Sequence, residues 1–105
     1  MKMIRAIIRT EKEEAVIHNL EEAGLYAITK MPVLGRGKQR GIQVGEIKYN
    51  SLSKLMLLLF VDNTEHQKAI EAIEKGAYTS HPGDGRIFVQ NVSKSYTIRT
   101  AQEDQ

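Results

Sequence analysis

Cysteine is absent from this 105-residue sequence, and proline occurs only twice. Without cysteine, the chain can form neither disulfide bonds nor thiolate metal sites. Long apolar runs are missing as well, since the longest, Leu55–Val61, is far too short to cross a bilayer. The first residues, Met1–Arg5, alternate charged and apolar side chains and lack the apolar core of a signal peptide. We therefore expect a soluble, cytoplasmic protein without membrane insertion.

A strong charge of either sign is also missing. Fifteen lysines and arginines stand against thirteen aspartates and glutamates, and the net charge of +2 is too small to indicate a nucleic-acid partner. The length allows one domain, over residues 1–105, and leaves no room for a second core. A domain of this size exposes much surface for its volume, so assembly with further copies would help to stabilise it.

The first half of the chain predicts a strand, a helix and a second strand. Alternating apolar residues indicate a strand over Met3–Arg9. The segment Thr10–Glu13 has the Thr-x-x-Glu pattern of a capping box, which predicts a helix that Gly24 ends. A second strand follows over about Tyr26–Leu34. From about residue 36 to 53 no period survives, which predicts a long loop of functional importance.

The second half repeats this order. The apolar run Leu55–Val61 predicts a strand and not a short buried helix, because the capping-box pattern Thr64–Gln67 follows at once. Helical spacing then continues to about Gly76. Further strands are predicted over Arg86–Val89 and, shorter, over Tyr96–Arg99.

Two strand–helix–strand units in succession predict an α+β protein of ferredoxin-like fold. In this βαββαβ arrangement an antiparallel sheet carries two helices on one face. The remaining residues, about 100–105, are expected to form a C-terminal tail.

The tetrapeptide Gly83-Asp84-Gly85-Arg86 is the sharpest local signal in the sequence. Closely spaced glycines let backbone amides converge on an anion, and an adjacent arginine can neutralise a phosphate. A tight turn explains the same residues, because Asp-Gly is a favoured turn pair. The segment is not a P-loop, which requires a helix where a strand is predicted here. The local pattern leaves both interpretations open.

The long loop begins with glycines and cations in alternation, over Gly35–Gly41. Such a segment can contact RNA phosphates, or it can act as a mobile arm whose charges select a partner. RNA binding requires aromatic side chains that stack on bases, and Tyr49 is the only aromatic residue in the loop. We therefore expect a partner-binding arm and no nucleic acid.

Three separated motifs resemble the PII family of signal-transduction proteins. Thr79–Val89 is similar to the family's C-terminal signature, in which Ser or Thr and three variable residues precede Gly-Asp-Gly-Lys/Arg and Ile-Phe-Val. Met1–Arg9 resembles its first strand, and Gly35–Gly41 resembles the base of its T-loop. The match runs from residue 1 to about residue 100. It implies a regulator that is not an enzyme, assembled as a trimer with nucleotide sites in the clefts between subunits.

The resemblance also implies ligands. ATP and ADP would compete for the cleft, and 2-oxoglutarate would join through the Mg²⁺ ion of bound ATP. Gln39 would complete the magnesium shell, and Lys54 would pair with a 2-oxoglutarate carboxylate. By position, the nucleotide-binding residues would be Thr29, Gly83, Asp84, Gly85, Arg86 and Arg99, the last reaching the neighbouring subunit's site. The loop residues presented to a partner would be Arg36, Lys38, Arg40, Glu46 and Tyr49.

The chain departs from the usual family pattern in two respects. Thr97 stands where the family has a second C-terminal arginine, and the T-loop is shorter and lacks the tyrosine that some members modify. The stretch Gly37–Ile47 instead resembles the branch found in nitrogen-fixation clusters of archaea and anaerobic bacteria. That branch implies dinitrogenase as the target, and a homotrimer or a hetero-oligomer with a sister PII-like protein. An ammonium transporter or glutamine synthetase is the alternative target.

Two other classes of protein compete with this interpretation. A trimeric metal-handling protein of the CutA type would need clustered ligands, whereas His18, His66 and His81 are far apart in the sequence. An ATP-consuming enzyme would need an acid or base near the γ-phosphate, for which Asp84 is the only local candidate. Neither class has an identifiable reactive set in the sequence.

Overall fold

The computed structural model describes residues 1–35, 42–44, 47–49 and 52–104. A single 3₁₀ turn, Thr10–Lys12, connects the first strand to the first helix. The helices are α1 (Glu13–Glu22) and α2 (His66–Ala77). The strands are β1 (Lys2–Arg9), β2 (Thr29–Gly35), β3 (Ile42–Val44), β4 (Ile47–Tyr49), β5 (Leu52–Val61), β6 (Arg86–Asn91), β7 (Tyr96–Thr97) and β8 (Gln102–Glu103).

Four of these strands form one antiparallel sheet in the order β2-β5-β1-β6. The two central strands, β1 and β5, pair over their whole common length, from Lys2 opposite Val61 to Arg9 opposite Lys54. This strand order, with two helices, is that of the ferredoxin-like fold, so the predicted α+β architecture is confirmed.

The core lies between the helices and one face of the sheet. Because side chains alternate between the faces of a strand, every second residue of β1 and β5 points toward the helices. The two helices cross at Gly76, where a Cβ atom would lie 2.9 Å from the Cα atom of Val16. The buried residues of this layer are Ile4, Ala6, Ile8, Val16, Leu20, Leu25, Leu55, Leu57, Leu59, Val61, Ala69, Ile73 and Ala77.

The opposite face of the sheet carries apolar side chains that the protomer leaves uncovered. Phe60 is 51% exposed, and Met31 and Phe88 are exposed to a similar degree. The run Leu55–Val61 is therefore a strand, as predicted, but within one protomer only one of its faces is buried. This second face is a surface on which apolar area remains available for assembly.

Both predicted capping boxes are wrong. Thr10 lies in the 3₁₀ turn, and the backbone amide of Glu13 donates to its carbonyl, so α1 begins two residues later than a cap at Thr10 predicts. Before α2, the amide of Glu65 donates to the Asp62 carbonyl at 2.9 Å, and the helix begins at His66. In each case a backbone hydrogen bond closes the turn before the helix, and the threonine side chain does not cap the helix. Neither helix has a side-chain cap.

Gly24, with φ of +82°, follows α1, and Gly76 lies one residue before the end of α2, as expected. The boundaries differ from the predictions in two further places. The stretch from 36 to 53 is not all loop, since β3 pairs with β4 and β5 already begins at Leu52. The short last strand, β7, pairs with β8 outside the main sheet, so the residues after 100 are not a plain tail. No helix among the described residues is long and apolar enough to cross a membrane.

Candidate functional site

The loop between α2 and β6 lies against the end of strand β1. Its most constrained residue is Gly85, with φ of +110°, where a Cβ atom would lie only 1.7 Å from the carbonyl oxygen of Ile7. Immediately afterwards Arg86 pairs with Ile7 in the sheet. Gly83 has φ of +100°, and a Cβ atom there would lie 3.1 Å from the guanidinium of Arg9. Both positions therefore require glycine, for the backbone conformation and for the close approach.

The carboxylate of Asp84 holds this loop closed. It accepts hydrogen bonds from the Thr79 hydroxyl, from the Thr79 amide at 2.8 Å, and from Arg9 Nε at 3.3 Å. The Thr79 hydroxyl and amide, followed by Arg9, lower the pKa of Asp84 to about 2. The side chain is thus ionised and engaged inside the loop. What Asp84 offers to an anionic ligand is therefore its backbone amide and not its carboxylate.

Cations surround the loop on the side of β1 and β5. Arg9 also donates to the Pro82 carbonyl at 2.6 Å, and Lys54 donates to the Gly83 carbonyl at 2.8 Å. These two residues face each other across the central strand pair. Burial, and then the charge of Arg9, lower the pKa of Lys54. With the exposed Arg86 at the start of β6, the loop has three cationic side chains beside a turn that contains two glycines with positive φ.

Arg9 was missed by the sequence analysis, which treated it only as the last residue of a strand. The tertiary pairing brings it to the loop, because β1 lies between β5 and β6 in the sheet. The signal that could have revealed it is its position. In this fold the last helix-to-strand connection returns beside the central strand β1, so a charged residue at the end of β1 lies next to the returning loop.

Within the described residues, a cleft of about 760 Å³ adjoins the loop. It is lined by Asp84, Gly85 and Arg86 on one side and by Glu71, Glu74 and Lys75 on the helix side. Two glutamates against one lysine make the helix side less favourable for phosphates than the cationic side of the loop. A second cleft, of about 360 Å³, is lined by Lys54 and by apolar residues of β2 and β5. An anion is best placed where the Arg9 and Lys54 side of the loop meets Arg86.

The other predicted site residues lie apart from this loop. Thr29 begins β2, opposite Leu58, at the far edge of the sheet from Arg86. Three strand spacings separate the two edges, about 14 Å, so Thr29 and Arg86 of one protomer cannot contact the same phosphate. Arg99 lies in the turn between β7 and β8. Tyr49 lies in β4. The other site residues predicted in this segment lie outside the described residues, and they are Arg36, Lys38, Gln39, Arg40 and Glu46.

No group of three His, Asp or Glu side chains that could hold a metal ion occurs within residues 1–35 and 53–104. His18, in α1, is paired with Glu22 at 3.5 Å, and His66 Nδ1 lies 2.8 Å from the Asn63 carbonyl oxygen. These contacts are local to the helices and far from the loop. His18 and His66 therefore make local contacts at the helices and are not part of a metal site among the described residues.

Comparison with known proteins identifies relatives over nearly the whole chain. The sequence model of the family described as nitrogen regulatory protein P-II matches residues 1–102. The chain is 51% identical over 100 residues to "nitrogen fixation nifHD region glnB-like protein 1" of Methanococcus maripaludis, covering 95% of each chain. It is 48% identical over 103 residues to the protein of that name from Methanothermobacter marburgensis, covering 98% of each. It is 39% identical to "nitrogen regulatory protein P-II 1" of Methanothermobacter thermautotrophicus, covering 97% of this chain and 92% of the relative.

Proposed function

The chain belongs to the nitrogen regulatory protein P-II family, and on that premise we propose that it senses ATP or ADP together with 2-oxoglutarate. In this proposal the nucleotide phosphates lie against the loop over residues 79–86, and the response passes to a target through the segment 36–53. The protein acts by binding and not by catalysis.

One observation supports the nucleotide site above all others. Two glycines with positive φ lie in a loop that Asp84 holds closed and that Arg9, Lys54 and Arg86 surround. A glycine-containing turn whose amides can turn toward an anion, placed beside cations, favours a polyanion. Because the glycines and Asp84 are fixed by contacts within the protomer, the loop needs little reorganisation to bind a phosphate.

The site for 2-oxoglutarate follows from Lys54. This side chain donates one of its three N–H groups to the Gly83 carbonyl, so a carboxylate that binds the remaining donors of Lys54 lies beside the loop over residues 79–86. The two ligands would thereby share one lysine. Mg²⁺ would arrive with the nucleotide phosphates, and the amide oxygen of Gln39 is a suitable hard ligand for it. Gln39 lies near the start of the segment 36–53, so a magnesium ion bound by Gln39 would hold the start of that segment at the nucleotide site.

The residues proposed for one nucleotide come from more than one protomer. Thr29 lies at the opposite edge of the sheet from Arg86, and the uncovered apolar face of the sheet provides area for association. We therefore propose a homotrimer, or a hetero-oligomer with a sister PII-like protein. In either assembly Thr29 and Arg99 would reach a site built around the loop of a neighbour.

The target is inferred from the names of the relatives. Two of them are named for the nifHD region of nitrogen fixation, which supports dinitrogenase as the regulated enzyme. An ammonium transporter or glutamine synthetase is the alternative. Nucleic acid and membrane insertion have no place in this proposal, and the protein would act in the cytoplasm.

Calorimetric titration of the purified protein with Mg-ATP, with and without 2-oxoglutarate, tests the proposal. Arg86→Ala should weaken ATP about 10- to 100-fold, because it removes a charge-assisted contact to phosphate. Lys94→Ala is the matched control, since it removes an exposed cation that is distant in sequence from the loop. Equal ATP affinity in the wild type and in Arg86→Ala would contradict the nucleotide site.

A second pair of variants tests the 2-oxoglutarate site. Gln39→Ala and Lys54→Ala should each abolish the effect of 2-oxoglutarate on ATP binding while ATP still binds. Retention of the full 2-oxoglutarate effect in both variants would overturn this part of the proposal and leave the nucleotide site standing.

A further inference from the structure

The hairpin formed by β7 and β8 is very small for an ordered element. Each strand has two residues, and the pairing consists of Tyr96 opposite Glu103 and Thr97 opposite Gln102. Two-stranded hairpins are at best marginally stable on their own. Apolar contacts do not compensate, because Tyr96 is 56% exposed and Ile98 is 96% exposed. Something other than a core must hold these residues in place.

The carboxylate of Asp104 bridges the hairpin. Its Oδ2 atom accepts from the Ser95 hydroxyl and its Oδ1 atom from the Thr97 hydroxyl, both at 2.6 Å. The Asp104 amide donates to the Ser95 carbonyl at 2.8 Å. Hydroxyl–carboxylate bonds of this length are among the stronger hydrogen bonds in proteins. One side chain thus joins the residue before β7 and a residue of β7 to the residue after β8.

The turn enclosed by these bonds has a conformation that must be imposed on it. Ala101 has φ of +56°, in the left-handed region that residues with a Cβ atom rarely adopt. Its amide donates to the Thr97 carbonyl at 2.8 Å, which closes the turn. A backbone of this kind persists only where surrounding contacts determine it. Arg99 lies at the centre of this turn, and its side chain is exposed.

We infer that Asp104 is a positioning residue for Arg99, acting through the hydroxyls of Ser95 and Thr97. The inference rests on the proposed function, in which Arg99 contacts nucleotide phosphates. Asp104 orders the turn before the ligand arrives, so less conformational freedom is lost when Arg99 binds. Without the carboxylate, the turn relaxes out of the left-handed conformation at Ala101, and Arg99 must be ordered by the ligand itself.

Amide hydrogen exchange tests the ordering and needs no ligand. Asp104→Ala keeps the backbone amides of residues 101 and 104, and both should exchange at least about tenfold faster than in the wild type. Glu103→Ala is the matched control, because it removes the neighbouring carboxylate of the same hairpin, and its exchange should stay at the wild-type rate. Thr97→Val should give an intermediate increase. Equal protection in Asp104→Ala and the wild type would overturn the inference.

A double-mutant cycle with ATP tests the connection to Arg99. Asp104→Ala should weaken ATP about three- to tenfold when Arg99 is present, and should have no further effect in Arg99→Ala. Losses that simply add would show that Asp104 does not act through Arg99 and would overturn the inference. If the wild type bound no ATP, the proposed function would fail and the role of Arg99 with it. Hydrogen exchange would still decide whether Asp104 orders the hairpin.

Discussion

Two turns of this protein are each held closed by an aspartate carboxylate, but the two turns are attached to different parts of the molecule. In the loop over residues 79–86, the carboxylate of Asp84 accepts from the Thr79 hydroxyl and amide. In the hairpin over residues 95–104, the carboxylate of Asp104 accepts from two hydroxyls. Both aspartates hold a short segment that carries an arginine. The segments differ in what lies around the carboxylate.

The loop is fixed to the sheet, whereas the hairpin is fixed mainly to itself. Gly85 lies against Ile7, and Arg9 joins Asp84 and Pro82 to the central strand from about 75 residues away in the chain. The bonds of Asp104 span nine residues at most. We conclude that contacts within a single protomer hold the loop over residues 79–86 to the sheet, while the hairpin depends on a local bridge. The order of the hairpin therefore depends on Asp104 alone more than the order of the loop depends on Asp84 alone.

The largest effect is expected where the loop touches the sheet. Gly85→Ala would place a methyl group inside the Ile7 carbonyl, so β1 and β6 would have to separate. We expect a loss of more than about 4 kcal/mol in the free energy of unfolding, or failure to fold, because backbone atoms cannot yield as a flexible side chain can. Urea denaturation followed by circular dichroism measures this loss.

Gly24→Ala is the control for that substitution. Gly24 also has a positive φ, +82°, but a Cβ atom there meets nothing within 4 Å. Its replacement should cost only about 1 kcal/mol, the price of the left-handed conformation. Similar losses for the two variants would show that backbone conformation, and not the contact with β1, fixes the loop.

A smaller effect is expected from the side chain that joins the loop to the sheet. Arg9→Ala removes the bonds to Asp84 and to the Pro82 carbonyl, so the amide of Thr79 should exchange about tenfold faster. The hairpin amides of residues 101 and 104 should be unaffected, because none of their bonds involves β1. Arg9→Lys tests whether a positive charge at this position is enough to protect the Thr79 amide without the guanidinium group. Unchanged protection of the Thr79 amide in Arg9→Ala would mean that Asp84 holds the loop without the sheet.

The fold could be predicted from the sequence because the core pattern is strong and local. Apolar residues alternate in β1 and recur at helical spacing in α2, and these patterns do not depend on distant contacts. The first capping box failed because the Glu13 amide, which the Thr10 hydroxyl was expected to cap, donates to the Thr10 carbonyl. The second failed because a turn closed by the Glu65 amide and the Asp62 carbonyl includes Thr64, so that α2 begins beyond it. Helix starts depend on such competition, which a four-residue pattern cannot decide.

The candidate site also has a part that could be predicted from the sequence and a part that could not. Gly83, Gly85 and Arg86 could be recognised as a motif, since their spacing is visible in the sequence. The part played by Arg9 could not, because it depends on strand order and register across about 75 residues. A short strand over Tyr96–Arg99 was predicted, but its pairing with β8 was not, since a strand of two residues gives no detectable period. The sequence pattern does not reveal contacts between residues that are far apart in the chain, and it does not reveal strands that are too short to show a period.

The smallest expected effect is a difference between the pKa values of the two aspartates. The Thr79 hydroxyl and amide and then Arg9 lower the pKa of Asp84 to about 2, whereas the pKa of Asp104 is lowered by the Ser95 and Thr97 hydroxyls without a cation. Both carboxylates have their pKa depressed on folding. Their bonds are therefore complete above the ordinary aspartate pKa, and are lost as the pH falls through the folded value.

On acidification the hairpin should open first, and the loop should persist to a pH near 2. Carboxyl ¹³C NMR titration of the two aspartates measures this order directly. Thr79→Val keeps the backbone amide but removes the hydroxyl, so the pKa of Asp84 should rise toward that of an ordinary aspartate. If Asp84 titrated at or above the pH at which Asp104 titrates, the bonds from Thr79, with the smaller contribution of Arg9, would not hold the loop more strongly than the two hydroxyls hold the hairpin. The acid stability of the two turns would then not depend on how many donors each carboxylate accepts from.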